Sequence, residues 1–370
     1  MAQALPAEGV LTATIEAAGG KRIGRATLHA PGTLNSLTTA MVEQLLQCLQ
    51  QWESDDRIAC IVIDGSGEKA FCAGGDVQML RQSSLQNPGG PCCEAEAFFA
   101  SEYRMNYALH SCKKPVLVWG DGIVMGGGLG ILAGGSHRVV TETSRFAMPE
   151  ITIALFPDVG GSFFLNLMPG KTGRFLALTG ASFNATDALY TGLADYFVAR
   201  DAFDTLLEVL GNTAELNAGN IANLLQDLAA QSTVSMPEGN IERHREIMDQ
   251  FCAAERLHEV YAAITQWQGD DKWLAKARDG LAQGSPLAAL WIDGQLQRSV
   301  GVPLADVFRS ELVLATNIVR HSEFAEGVRA LLVDKDRKPQ WQYTSIDDVP
   351  GNLIDSFFEP PWPENPLADL

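Results

Sequence analysis

The chain has no run of about 18 uninterrupted apolar residues, so a membrane-spanning helix is not expected. It has no G-x-S-x-G elbow for a serine nucleophile, and no H-E-x-x-H or paired Cys/His spacing for a metal. Basic residues are scarce: 27 Lys and Arg face 45 Asp and Glu, a formal net charge of -18. Such a field repels nucleic acid and anionic lipid, so neither is an expected partner. The opening MAQALPAEGV lacks a basic stretch followed by an apolar one, which argues against a secretory leader. The seven cysteines (48, 60, 72, 92, 93, 112 and 252) are odd in number and form no C-x-x-C pair. They read as free thiols, with Cys48 and Cys60 inside apolar runs, and point to a reduced, cytoplasmic setting.

Apolar residues make up 46% of the 370 and charged residues 19%, enough for a substantial core. Residues 10–29 alternate around Gly19-Gly20 and read as a two-stranded hairpin. Val42, Leu45, Leu46 and Leu49 predict a helix over 38–52, capped by Thr38 or Thr39. Residues 58–63 are apolar on both faces, as a strand buried between layers is. Turn formers fill 83–93 and predict a mobile loop. A helix is expected at 94–112, a buried strand over 115–124, a helix beginning within 129–134, and a short strand with a turn over 144–156. Strand–helix alternation ends near residue 205. The expected organisation is therefore an α/β core over 1–205 and a mainly helical region over 206–370.

Three segments carry candidate chemistry. In Lys69-Ala70-Phe71-Cys72-Ala73-Gly74-Gly75-Asp76, small residues let backbone approach a ligand and leave N–H groups free to donate. The same pattern also suits a tight strand-to-helix turn. In Gly122-Ile123-Val124-Met125-Gly126-Gly127-Gly128, three glycines precede a helix whose N-terminal N–H groups favour a phosphate or a developing oxyanion. The third segment, residues 147–161, holds Glu150 and Asp158 in an apolar, Pro- and Gly-shaped stretch. Carboxyls desolvated there would rise toward the range useful for acid–base work. Alternatively both are surface caps, with Asp158 capping a helix that starts near Ser162.

Gly128, Gly130 and Ala133 also satisfy G-x-G-x-x-A, with Glu150 about 20 residues on, as in nicotinamide enzymes. Pro149 fits poorly at the end of a central parallel strand, which weakens that reading. His137 reads as structural. Cys72 has no neighbour to activate it.

Taken in order, these segments resemble the crotonase (enoyl-CoA hydratase/isomerase) superfamily, from Leu34-Asn35-Ser36-Leu37 to about residue 198. Residues 122–128, 137–142, 146–150 and 155–161, with Phe324-Ala325-Glu326-Gly327-Val328-Arg329-Ala330-Leu331-Leu332-Val333-Asp334-Lys335-Asp336, are similar to its 3-hydroxyisobutyryl-CoA hydrolase family. That resemblance implies a crotonase-like spiral of repeated strand–strand–helix units with a helical C-terminal region. It implies an oxyanion hole from the Ala73 and Gly127 N–H groups, and substrate contacts from Lys69, Gly75, Asp76, Glu102, Gly127, Glu150 and Asp158. Glu102 could instead be a helix-surface acid beside Arg104.

The hydratases' first catalytic glutamate falls on Gly130, and their second on Glu150. Loss of the first and gain of Asp158 mark the hydrolase pattern. The implied reaction is hydrolysis of a 3-hydroxyacyl-CoA, 3-hydroxyisobutyryl-CoA above all, as in valine breakdown. Glu150 would attack the carbonyl or activate water, and Asp158 would orient the 3-hydroxyl or handle the proton. No metal or redox cofactor is implied, and coenzyme A enters only as part of the substrate. A homo-oligomer is compatible with the helical C-terminal part. The rivals are an enoyl-CoA hydratase or isomerase on the same fold, a non-catalytic acyl-CoA-binding subunit, and the nicotinamide enzyme. Glu311 stands out separately: it interrupts an apolar helical stripe and needs a buried partner, an arginine or the site itself.

Overall fold

A computed structural model describes residues 8–370. Most of the opening segment that was read for a leader, residues 1–7, lies outside them. The strands are β1 (Gly9–Glu16), β2 (Arg22–His29), β3 (Ile58–Gly65), β4 (Ala70–Cys72), β5 (Val116–Gly120), β6 (Ile123–Met125), β7 (His137–Val140), β8 (Arg145–Ala147), β9 (Phe183–Asn184) and β10 (Tyr196–Phe197). After Phe197 the described residues form helices and no further strand.

The chain forms two compact units, interleaved along the sequence. The first runs to Gly75 and adds Ala108–Phe146 and Asn184–Glu238. Its larger sheet has the order β1-β2-β3-β5-β7-β10, antiparallel only between β1 and β2. The hairpin expected over 10–29 is this first pair, joined at Gly19-Gly20. β3 is buried on both faces because it is a central strand, paired in parallel with β2 and β5. Ile23, Val62, Leu117 and Val139 pack under Leu206, Leu210, Ile221 and Leu225 from the helices Phe203–Asn212 and Ala218–Gln231. The helix Thr39–Ser54 starts as its sequence dictates, with the Thr38 hydroxyl accepting Met41 N–H at 3.3 Å.

The single strand expected over 115–124 is two strands, β5 and β6, broken at Asp121 and Gly122. A second sheet has the order β4-β6-β8-β9. The break lets the chain leave the first sheet and pair β6 with β4 in the second.

The second unit comprises Asp76–Tyr107, Ala147–Phe183 and Gly239–Leu370. It is built on helices, among them Val77–Gln86, Cys93–Ser111 (which runs on past Tyr107), Pro286–Arg298 and Leu304–Val319. The loop expected over 83–93 is helical to Gln86. Its remainder is tied down: Gly89 N–H donates to Arg320 O at 3.1 Å, and Cys92 N–H to Glu96 Oε1 at 2.7 Å. Turn-forming residues mark where this chain bends, but here its polar groups have partners.

Candidate active site

In the first unit, backbone meets backbone. The turn after β4 (residues 72–75) lies against the turn after β6 (residues 126–128). A Cβ on Gly128 would come within 2.4 Å of Cys72 O, so only glycine permits this approach. The helix Gly127–Gly134 begins at this contact and is buried throughout. Its first N–H groups have no intrahelical acceptor and carry the positive end of the dipole.

The two expected oxyanion donors fare differently here. Gly127 N–H has no acceptor among the described residues, as a donor waiting for an anion requires. Ala73 N–H is already committed to Leu34 O at 3.0 Å, so it cannot serve. Two residues on, Gly75 N–H has no acceptor among the described residues, and Leu37 N–H holds the turn by donating to Gly74 O at 2.8 Å. Peptide planes alternate in an extended turn, so a shift of two residues keeps the direction and changes which donor is free. Lys69 is exposed, and its carbonyl accepts Ile123 N–H at 3.0 Å.

The buried groups of the second unit include the carboxyls of Glu102, Glu150, Asp158 and Glu311 and the phenol of Tyr103. Glu102 and Tyr103 come from the helix Cys93–Ser111, Glu150 from the first position of a 3₁₀ turn, Glu150–Ile153, and Asp158 from the bend after it. Glu311 comes from the helix Leu304–Val319. Glu102 is 2% exposed, Glu150 and Asp158 5% each, and Glu311 0%. The Tyr103 hydroxyl donates to Asp158 Oδ2 at 2.7 Å. Glu102 Oε1 and Glu150 Oε2 are buried without a hydrogen-bond partner. One helical turn beyond Glu102, the Asn106 amide has no partner at either atom. Unmatched polar atoms of this kind each cost roughly 1–3 kcal/mol, and they mark places where water or a polar ligand belongs.

Burial pushes the Glu150 carboxyl well above the usual range, and the negative charge of Asp158 adds to it. Burial does the same to Glu102, with Asp158 and Glu150 contributing. Burial lifts Asp158 to about 6, against the lowering effect of the Tyr103 hydrogen bond. These acids influence one another, so they titrate as a set. Among the described residues, no group of three or more His, Cys, Asp or Glu side chains is placed to hold a metal ion.

Glu102 is thus no surface acid. Its supposed neighbour Arg104 turns away to Asp369, at 2.7 Å. Asp158 does not cap a helix. The short helix Gly161–Phe164 starts from Gly160 without a side-chain cap. Asp76, expected at the substrate, caps the helix Val77–Gln86 by accepting Gln78 and Met79 N–H at 3.2 and 3.1 Å. Glu150 comes after Pro149 in a 3₁₀ turn rather than ending a strand, which disposes of the dinucleotide pattern. His137 is structural, held by Ser136 Oγ and Ala218 O. The sequence reading missed Tyr103 and Asn106. Both lie on the buried face of the helix that carries Glu102, and that spacing was the available signal.

The pattern of the enoyl-CoA hydratase/isomerase family matches residues 23–358. A mitochondrial 3-hydroxyisobutyryl-CoA hydrolase of Gallus gallus is 36% identical over 338 residues, spanning 91% of this chain and 86% of that one. Among solved structures, a carnitinyl-CoA dehydratase from Mycobacterium thermoresistibile superposes with a TM-score of 0.85 at 32% identity, covering 97% of this chain and 98% of its own. An enoyl-CoA hydratase from Rhodobacter sphaeroides 2.4.1 gives 0.82 at 33%, covering 95% and 97%. The mitochondrial setting of the first relative overturns the cytoplasmic expectation. Free thiols, which all seven cysteines are, report only reducing surroundings, and the cytosol is not alone in providing them.

Proposed function

The chain belongs to the enoyl-CoA hydratase/isomerase family, and from that premise we propose that it hydrolyses a 3-hydroxyacyl-CoA thioester, 3-hydroxyisobutyryl-CoA, to 3-hydroxyisobutyrate and CoA. The observation that carries the reading is the pairing of Glu150 with Asp158: two buried carboxyls, each raised by burial, one with an unmatched oxygen. Hydration chemistry on this scaffold would call for a second glutamate at Gly130, and glycine has no side chain to supply it.

The chemistry asks for two things. The thioester oxygen must be stabilised as it gains charge, and the free N–H groups of Gly127 and Gly75 are suited to that. Such a donor is typically worth about 3 kcal/mol. An oxygen must also reach the carbonyl carbon. Glu150 supplies it, either from its own carboxylate, giving an anhydride that water then opens, or from a water it deprotonates. In both routes the C–S bond breaks, the sulfur leaves as CoA thiolate and takes a proton, and one oxygen from water ends in the acid product. Asp158, fixed by Tyr103, holds the 3-hydroxyl of the acyl group. Glu102 and Asn106 offer further unmatched polar atoms to a polar acyl chain. Coenzyme A is itself an anion and the chain carries -18, so its phosphates need local help. Screening over roughly 8 Å at physiological salt confines the opposing field, and exposed Lys69 is the nearest cation in sequence to the first turn.

A panel of acyl-CoA esters with a free-thiol readout tests this. Thiol release should be fastest with 3-hydroxyisobutyryl-CoA. Loss or gain of enoyl absorbance without thiol release would make the protein a hydratase, and binding of esters without turnover would make it a carrier. Single turnover in ¹⁸O-labelled water bears on the route for Glu150. Label in the Glu150 carboxyl requires an anhydride that water opens at the glutamyl carbon, whereas label in the product alone fits direct attack by water or opening of an anhydride at the acyl carbon.

A further inference from the structure

Glu311 is fully buried within the helix Leu304–Val319, on the face that carries Phe308 and Leu312. Among the described residues, no arginine pairs with it. Its carboxyl instead accepts three hydrogen bonds from one short stretch: Gly160 N–H to Oε2 at 2.7 Å, Ser162 N–H to Oε1 at 3.0 Å, and the Ser162 hydroxyl to Oε1. These donors stand two and four residues after Asp158. Gln295 Nε2 reaches Ser162 Oγ at 3.4 Å and Ser310 Oγ at 2.8 Å, which links the stretch to the helix Pro286–Arg298.

The stretch needs holding. Val159 has φ +54, a left-handed conformation that a β-branched residue rarely adopts, and Gly160 comes next at φ +82. Such backbone persists only where its surroundings over-determine it. A Cβ on Gly160 would lie 3.2 Å from the Phe308 ring, so the bend rests directly on the Leu304–Val319 helix. The Phe308 ring is also 6.0 Å from the ring of Tyr103, whose hydroxyl holds Asp158. The Leu304–Val319 helix therefore bears on Asp158 in two ways: Glu311 holds the backbone after it, and Phe308 packs against Tyr103, from the helix Cys93–Ser111, whose hydroxyl holds its carboxyl.

We propose that Glu311 is a positioning residue for the reaction: by clasping the bend at 160–162 it fixes the direction in which the Asp158 carboxyl points. It touches no substrate itself. A merely structural acid would be content with a cation or a cap, whereas this one spends both oxygens on the backbone beside a single functional side chain. The proposal rests on Asp158 acting in turnover, as proposed above.

A double-substitution cycle on the full chain tests it. Glu311→Gln keeps the volume and one acceptor but faces an N–H with an amide, so the bend loosens. Its kcat should fall about 10²-fold, the scale of a 1 Å misplacement, with KM within about twofold. In an Asp158→Asn background, Glu311→Gln should cost nothing further, because a residue that acts through another has no effect once that other is gone. Should Glu311→Gln fail to fold, Ser162→Ala removes one of the three bonds more gently. It should show a smaller loss with the same silence beside Asp158→Asn. Wild-type kcat in both single variants, or losses that multiply in the double variant, would overturn the clasp. If Asp158→Asn alone turned over at the wild-type rate, the clasp and the assigned role of Asp158 would fall together.

Discussion

In the first unit the groups proposed to meet a ligand are main-chain N–H donors, and glycine places them. In the second they are side chains, and helices far along the sequence place them. The Gly75 and Gly127 donors come from two turns that meet because Gly128 has no Cβ to strike Cys72 O. The acids Glu150 and Asp158 are eight residues apart, but the C-terminal helices grip both. Gly327 packs its backbone against Ile153, Ser285 N–H donates to Ile151 O at 3.2 Å, and Glu311 and Phe308 hold the bend after Asp158. Backbone donors are thus placed by a close backbone approach that glycine permits, and carboxyls by side-chain packing against the C-terminal helices. The first kind should fail when one small atom is added. The second should fail by losing a charge or a distant partner.

The largest effect should come from Glu150→Gln. Thiol release should drop about 10³-fold with KM little changed, since an oxygen needed only in the transition state is lost. Stopped-flow thiol trapping measures this, and turnover within a factor of two of wild type would refute it. Next, Gly128→Ala should lower kcat about 10²-fold by displacing the donors. It should also lower stability by about 1–3 kcal/mol from overpacking. Thermal melts beside kinetics would show both, and a variant with normal kinetics would mean that the turns tolerate separation.

The carboxyl side should carry a pH signature that the backbone side lacks. Activity that requires ionised Asp158 should rise through about pH 6, and Glu150, whose pKa burial raises, should ionise only at a pH above the usual carboxylate range. Removing the neighbouring charge with Asp158→Asn should move the Glu150 limb of kcat/KM to lower pH. An unmoved limb would show that the two acids do not sense each other.

Stability should respond as well. Burial lifts Glu311 to about 8, above its unfolded value near 4.3. Between those values the folded chain holds the proton and the unfolded chain does not. This group's contribution is therefore greatest below about pH 4 and declines as pH rises to about 8, with a slope approaching 1.4 kcal/mol per pH unit, an order-of-magnitude ceiling. Glu311→Gln should flatten the fall in Tm between pH 5.5 and 8.5. The smallest effect should be Asp76→Ala. A lost cap costs about 1 kcal/mol, and KM should stay unchanged if capping is its whole role.

The sequence was most legible where local rules decide the outcome. Alternation around Gly19-Gly20 gave the hairpin, and the spacing of Val42, Leu45 and Leu49 gave the helix Thr39–Ser54. The apolar run after Arg57 gave β3. What escaped depends on hydrogen bonds that no spacing encodes. Ala73 and Gly75 differ in nothing visible along the chain, and only the claim of Leu34 O on one N–H separates them. Glu311 was recognisable as an acid in an apolar stripe, but its partner could not be read, because that partner is the backbone of a bend 150 residues earlier. Asp76 looked like a ligand and is a cap, since an acid before a helix satisfies both descriptions.

The helix Leu304–Val319 has a consequence for anyone redesigning this scaffold. Glu150 and Asp158 moved by themselves onto another scaffold would leave behind the acid that accepts from Gly160 and Ser162 and the Phe308 ring against which the bend rests. The residues proposed to act in hydrolysis or to position it are spread over more than 200 residues, so truncating the C-terminal third should abolish the activity even though every residue proposed to meet the thioester is still present.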